Sequence, residues 1–187
     1  MIKRTLAAAL VGLLVLAAGC TMTPGGNDPD TRRAAINAGV DDALASLFRQ
    51  VPGSEELVAQ ASGVLVFPNV LEAGFMIGAS RGEGALRVDG ATVSYHATTS
   101  GSFGLQAGAQ STAIFFLFMT DESLSRFQAS SGWTAGVDAS VTVVAVGATA
   151  QATTWTVQQP VVGYVLSNSG LMAGISLNGA RITRLNL

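Results

Sequence analysis

Few residues in this sequence could carry out covalent or acid–base chemistry. Cys20 is the single cysteine and His96 the single histidine. With one histidine, and with the one cysteine better explained as an acylation site below, neither a Ser-His triad nor a Cys-His pair is expected. The adjacent carboxylates Asp41-Asp42 and Glu55-Glu56 lie on predicted helices and point apart, which suits solvent exposure better than acid–base work.

Binding motifs for cofactors and metals are also missing from the sequence pattern. Gly82-Glu83-Gly84 lacks the later glycine of a dinucleotide-binding fingerprint, and its position between predicted strands indicates a turn. No zinc-ligand spacing occurs. We therefore expect no cofactor, no metal and no enzymatic activity.

The N-terminus carries the pattern of a secretory signal ending at Cys20. Lys3 and Arg4 precede an apolar run at residues 6–16, and small residues follow at 17–19. The run is too short to span a bilayer, which requires about 20 apolar residues. Gly19-Cys20 resembles the bacterial lipobox, although Ala17 occupies the place where leucine is usual. We expect residues 1–19 to be a signal peptide and Cys20 to be lipid-anchored.

Residues 20–30 form a turn-rich tether, and residues 31–187 are expected to form one domain. Because cleavage removes Lys3 and Arg4, the ten basic residues fall to eight, all Arg, against 12 acidic ones. This balance offers no basic stripe for nucleic acid, and we expect none to bind. Thr21, rather than Asp, follows Cys20, which in enteric-type sorting implies the outer membrane of the cell envelope.

An amphipathic helix is predicted over residues 31–50, with Asp30 as its cap and Pro52-Gly53 ending it. Its apolar stripe includes Ile36, Val40, Leu44 and Leu47, and Arg32 and Arg33 flank the stripe near its start. Such a stripe can pack on a core or contact a membrane. These six residues are our candidate membrane contacts, with core packing as the alternative. A second short helix, capped by Ser54, is predicted to close at Gly63.

From Gly63 onward the pattern predicts strands. The apolar run at residues 113–119 is expected to be a central strand buried on both faces, and a short helix should follow to about Ala129. The remaining strands are predicted at residues 64–67, 74–81, 84–88, 92–97, 136–146, 155–157, 161–166, 171–177 and 180–184. This order predicts an α+β fold, with N-terminal amphipathic helices on a largely antiparallel, Gly-rich sheet or barrel-like body.

Three segments, at residues 63–87, 104–138 and 160–184, resemble the SYLF (Ysc84-like) domain, a lipid-binding module that also occurs in bacterial lipoproteins. Gly63-Val-Leu-Val-Phe-Pro, Gly132-Trp133 and Gly170-Leu-Met-Ala-Gly174 carry the resemblance. It implies phospholipid binding at a membrane through the first helix. Separately from the resemblance, the glycine pairs in the similar strings at residues 74–80 and 170–176 each lie on one face of a predicted strand, which suits either close packing or a lipid-accepting groove. Some members also engage actin, which these residues do not support.

Two hypotheses remain open from the sequence. One is a lipid-anchored domain that binds envelope phospholipid. The other is a structural or partner-binding outer-membrane lipoprotein, of unknown protein partner, that holds no lipid beyond its own anchor.

Overall fold

The computed structural model describes residues 28–144, 159–167, 170–171 and 176–187, without the side chains of residues 74–77, 102–109 and 171. The predictions for Cys20, for the signal and most of the tether, and for a strand at residues 155–157 lie outside the described residues. So do most of the glycine-rich string at residues 170–176, within which a strand was predicted from residue 171, and the side chains of residues 74–77 in the similar string at residues 74–80.

Helix α1 spans Pro29–Gln50 and therefore begins before the predicted residue 31. Its cap is Asp28, whose carboxylate accepts a hydrogen bond from the backbone N–H of Thr31 at 2.9 Å. The prediction of Asp30 as the cap was wrong. Proline suits the first position of a helix, where a backbone N–H has no partner within the helix, so α1 begins at Pro29 and the cap is the residue before it. Asp30 instead lies in the first turn, where its charge is favourable to the helix dipole.

Helix α2 spans Ser54–Gln60. Gly53 is its N-terminal flanking residue, with φ of 81°, so the predicted cap Ser54 was wrong. The Ser54 side chain is fully buried and donates a hydrogen bond to the carbonyl of Leu47 at 3.3 Å. That bond ties the start of α2 to the last turn of α1.

The body of the sheet is one long hairpin of β1, Gly63–Val88, and β2, Ala91–Phe118. The two strands pair antiparallel from Gly63 with Phe118 to Val88 with Ala91, across the predicted Asp89-Gly90 turn. Positive φ at both turn residues, 51° and 77°, is typical of a two-residue hairpin. The short strands predicted separately within these ranges are therefore segments of two continuous strands, and bulges absorb their irregularities.

Gly82 and Gly84 lie inside β1, so the predicted turn at this position was wrong. A Cβ built on Gly82 would stand 2.9 Å from the carbonyl oxygen of Asn69, and one on Gly84 would collide with the carbonyl oxygen of Val66. The second half of β1 thus lies against its own first half. The glycines allow this contact because they have no side chain.

The other described elements extend this hairpin into a curled, mostly antiparallel sheet. These elements are helix α3 (Asp121–Ala129), β3 (Gly132–Thr134), β4 (Val141–Val143), β5 (Val161–Ser167), β6 (Gly170–Leu171) and β7 (Arg181–Leu185). β1 occupies one edge of β2, and on the other edge β2 pairs with β7 through residues 95–99 and with β5 through residues 113–118. Among the described strands only β4 and β5 run parallel.

The strand predicted at residues 136–146 is confined, where described, to Val141–Val143. Gly136 adopts φ of 80° in a tight turn, and the Asp138 carboxylate accepts a hydrogen bond from the Thr134 N–H at 2.6 Å. The predictions of α3 and of strands at residues 161–166 and 180–184 are confirmed.

The central apolar segment of β2 separates two hydrophobic clusters. Phe115 and Leu117 face the cluster beneath α1 and α2, whereas Phe116 and Phe118 face the cluster that contains Trp133 and α3. All four side chains are fully buried. The prediction of a strand buried on both faces is confirmed, and with it the helices-on-sheet architecture.

Candidate functional site

The apolar stripe of α1 lies on the core. Ile36, Val40 and Leu47 belong to the hydrophobic cluster beneath the helix, and Val40 and Leu47 are fully buried. Leu44 is half-buried and packs against the same cluster. Core packing therefore describes these side chains, and membrane contact through them stays a prediction that would require α1 to leave the sheet.

Arg32 is bound to a carboxylate of the sheet. Its Nε donates to Oε2 of Glu83 at 2.9 Å, and its Nη2 contacts Oε1 of the same residue. These bonds hold the pKa of the Glu83 carboxyl below its usual range and raise the pKa of the Arg32 guanidinium. Arg32 therefore joins the start of α1 to β1.

Arg33 has its own partners and does not share those of Arg32. Its Nη1 lies 2.6 Å from Oδ1 of Asp30, and its Nη2 donates to the main-chain oxygen of Leu187. Arg32 and Arg33, the two arginines predicted to contact a membrane, therefore bind different groups of the protein.

Polar contacts fix the remaining length of α1 against the hairpin. Asn37 donates to the hydroxyl of Tyr95 at 2.9 Å and accepts from the hydroxyl of Thr92 at 2.8 Å. Further along, Nη2 of Arg87 lies 2.7 Å from Oδ1 of Asp41. Together with the buried stripe, these bonds hold α1 at a defined position on the sheet.

A groove of about 650 Å³ opens between the first two turns of helix α1 and the strand β1. We call it the α1–β1 groove, and its lining includes Arg32, Ile36, Pro68, Leu71, Arg81 and Glu83. Leu71 is 54% exposed, and the Arg81 side chain is 71% exposed. A cation and an apolar side chain therefore stand together at an open surface.

The sequence interpretation missed Leu71, Arg81 and Glu83. Arg81 and Glu83 alternate with Gly82 and so share one face of β1, which is the only local signal that could have found them. Their meeting with Arg32 depends on how the hairpin curls toward α1. No spacing in the sequence encodes that contact.

The His96 side chain is buried. Its Nε2 lies 2.9 Å from the hydroxyl of Ser94, and its ring centroid lies 5.0 Å from that of Phe127. Burial, with a smaller contribution from the nearby charge of Arg184, lowers the pKa of His96 to about 4. The imidazole is therefore neutral near pH 7 and packs as part of the core.

Within the described ranges no three His, Cys, Asp or Glu side chains gather to hold a metal ion. Across the same residues, no helix is both long and apolar enough to cross a bilayer.

The fold and the groove define the structural class of this protein. It is an α+β protein in which a helix covers one face of a curled sheet and leaves an open groove with a cationic rim. Residues 99–186 match the Ysc84 family model, described as Las17-binding protein actin regulator. Over this range the chain is similar to the Ysc84 (SYLF) family, which agrees with the resemblance noted at residues 104–138 and 160–184. A search of curated proteins found no match.

The matched range begins within β2, at residue 99, and contains all the elements that follow β2. Helix α1 and strand β1, which supply all the lining residues of the α1–β1 groove, lie N-terminal to it. β1 pairs with β2 along its whole length, so the groove is built on the family's sheet.

Proposed function

We propose that this protein is a lipid-anchored protein of the bacterial cell envelope whose Ysc84-family domain binds phospholipid at the membrane surface, through the α1–β1 groove. The observation that carries the proposal is the exposure of Arg81 and Leu71 on the rim of one groove. Interfacial binding combines apolar burial with attraction between cations and anionic headgroups, and this pair of side chains supplies both.

The position of the groove relative to the predicted anchor supports the proposal. Arg32 lines the groove and lies in the first turn of α1, next to Asp28. The chain between Cys20 and Asp28 reaches at most about 28 Å when extended. An acylated Cys20 would therefore keep the groove close to the bilayer.

Vesicle flotation tests the proposal. A chain that starts at Thr21 lacks the anchor but keeps every member of both hydrophobic clusters. We expect it to float with vesicles that contain phosphatidylglycerol, and Leu71→Ser to reduce flotation without lowering the melting temperature. Val137→Ser, at an exposed side chain outside the groove, is the matched control and should change neither.

The second candidate is a structural or partner-binding outer-membrane lipoprotein. The family description names Las17 binding and actin regulation, which supports a protein partner for family members. If the chain from Thr21 ignores vesicles of every charge, the phospholipid proposal fails and this alternative replaces it.

A further inference from the structure

Three charged side chains meet on the rim of the α1–β1 groove, with the single carboxylate between two guanidinium groups. Arg32 contacts both oxygens of Glu83, whereas Nη2 of Arg81 lies 3.9 Å from Oε1 of Glu83. The side chains of Arg32 and Glu83 are 36% and 27% exposed, and that of Arg81 is 71% exposed. Glu83 therefore has one close partner and one distant, solvated neighbour.

The close pair is the one that the fold holds in place. Arg32 extends from a helix that is fixed by the buried side chain of Ile36, and a two-bond guanidinium–carboxylate contact is strong and directional. An exposed contact at the limit of ion-pair distance contributes little. The three groups together carry one net positive charge, and the geometry leaves it on Arg81.

We propose that Arg81 binds the phosphate of a phospholipid headgroup, and that Arg32 is a positioning residue that keeps Arg81 available by occupying Glu83. This inference rests on the proposed phospholipid binding. A guanidinium can donate two parallel hydrogen bonds to a phosphate, and Leu71 in the same groove adds an apolar contact with the membrane. Arg32 acts without touching the lipid.

The inference makes an ordered set of predictions for charge removal. Without Arg32, both oxygens of Glu83 are open and Arg81 is the neighbouring cation, so the headgroup must compete with an internal carboxylate. Without Glu83, Arg32 loses its carboxylate partner and the cluster carries two net positive charges. Without both Arg32 and Glu83, the one net positive charge is again on Arg81, as in the natural protein.

Flotation of the chain from Thr21 with vesicles of phosphatidylcholine and phosphatidylglycerol tests this order. Arg81→Gln and Arg32→Gln should each weaken partitioning about fivefold at low salt, which corresponds to the loss of one cation at an anionic surface. Glu83→Gln should strengthen partitioning into the vesicles. The double variant Arg32→Gln, Glu83→Gln should partition within about twofold of the natural protein, even if its melting temperature differs. Arg126→Gln removes an equally exposed, carboxylate-paired arginine from α3 and should have no effect.

Two results would overturn the inference while phospholipid binding stands. One is unchanged partitioning of Arg81→Gln. The other is a double variant as weak as Arg32→Gln alone, which would mean that Arg32 contacts lipid directly or acts only through the fold. If the natural sequence itself fails to float, the proposed function fails and the inference fails with it.

Discussion

Gly84 lies against the carbonyl oxygen of Val66, although both residues belong to strand β1. The contact is possible because the β1–β2 hairpin curls until the two halves of β1 meet. It brings Arg81 and Glu83, on the second half, toward the groove that Leu71 lines from the first half. The shape of the candidate site therefore depends on the absence of a side chain at residue 84.

We predict that Gly84→Ala lowers the free energy of unfolding by about 3 kcal/mol or more, because its Cβ would collide with a backbone oxygen that cannot rotate away. Urea denaturation measures this loss. Gly101→Ala is the matched control, since Gly101 also lies in the hairpin and a Cβ there would meet nothing within 4 Å. Equal stability of the two variants would contradict the close contact.

The stripe of α1 gives a second prediction. Val40→Asp should lower the free energy of unfolding by about 3 kcal/mol, because it places an unpaired charge at a fully buried position. Thermal melting measures the effect, and Ala45→Asp, at an exposed position of the same helix, should change it little. A Val40→Asp variant that melts normally but no longer floats with vesicles would instead favour direct membrane contact by the stripe.

His96 should make stability depend on pH. Burial lowers its pKa in the folded protein to about 4 from an ordinary value of 6.5, so the unfolded chain takes up a proton that the folded one refuses. The stabilisation is complete above pH 6.5 and is lost as the pH falls from 6.5 to about 4. We expect a loss of about 2 to 3 kcal/mol over this interval.

Urea denaturation across the interval would measure the slope. His96→Gln keeps a polar side chain but cannot titrate, so its stability should fall less, through carboxylates such as Glu83 alone. Parallel pH profiles for the natural protein and the variant would show that His96 is not the source.

Lipid anchoring through Cys20 remains a prediction. Cys20→Ser should release the protein from the membrane fraction or leave it unprocessed, because a serine hydroxyl cannot replace the thiolate in thioether formation. Cell fractionation and mass spectrometry of the N-terminal peptide provide the measurement, with Thr21→Ser as a control that should remain anchored. Unmodified Cys20 in membranes of the natural strain would disprove the anchor.

Local sequence determined the parts of this fold whose cause is local. The spacing of Ile36, Val40 and Leu47 set the buried face of α1, and the unbroken apolar run at residues 113–119 identified the central strand. Asp89-Gly90 specified the hairpin turn, since its residues tolerate positive φ. Each of these signals acts over a few neighbouring residues, which is why a pattern along the chain reveals it.

Only the tertiary structure decided the candidate site. The sheet beneath α1 decided that the apolar stripe faces the core. Gly82-Glu83-Gly84 has the composition of a turn, but it lies inside a strand because the curled hairpin leaves no space for side chains at the two glycines. Arg32 and Glu83 are 51 residues apart, and nothing in their spacing pairs them. Their contact, which leaves Arg81 as the more distant partner of Glu83, arises because packing of α1 on the hairpin brings charges that are far apart in sequence within hydrogen-bond distance. A local pattern of residues along the chain cannot predict such a long-range contact.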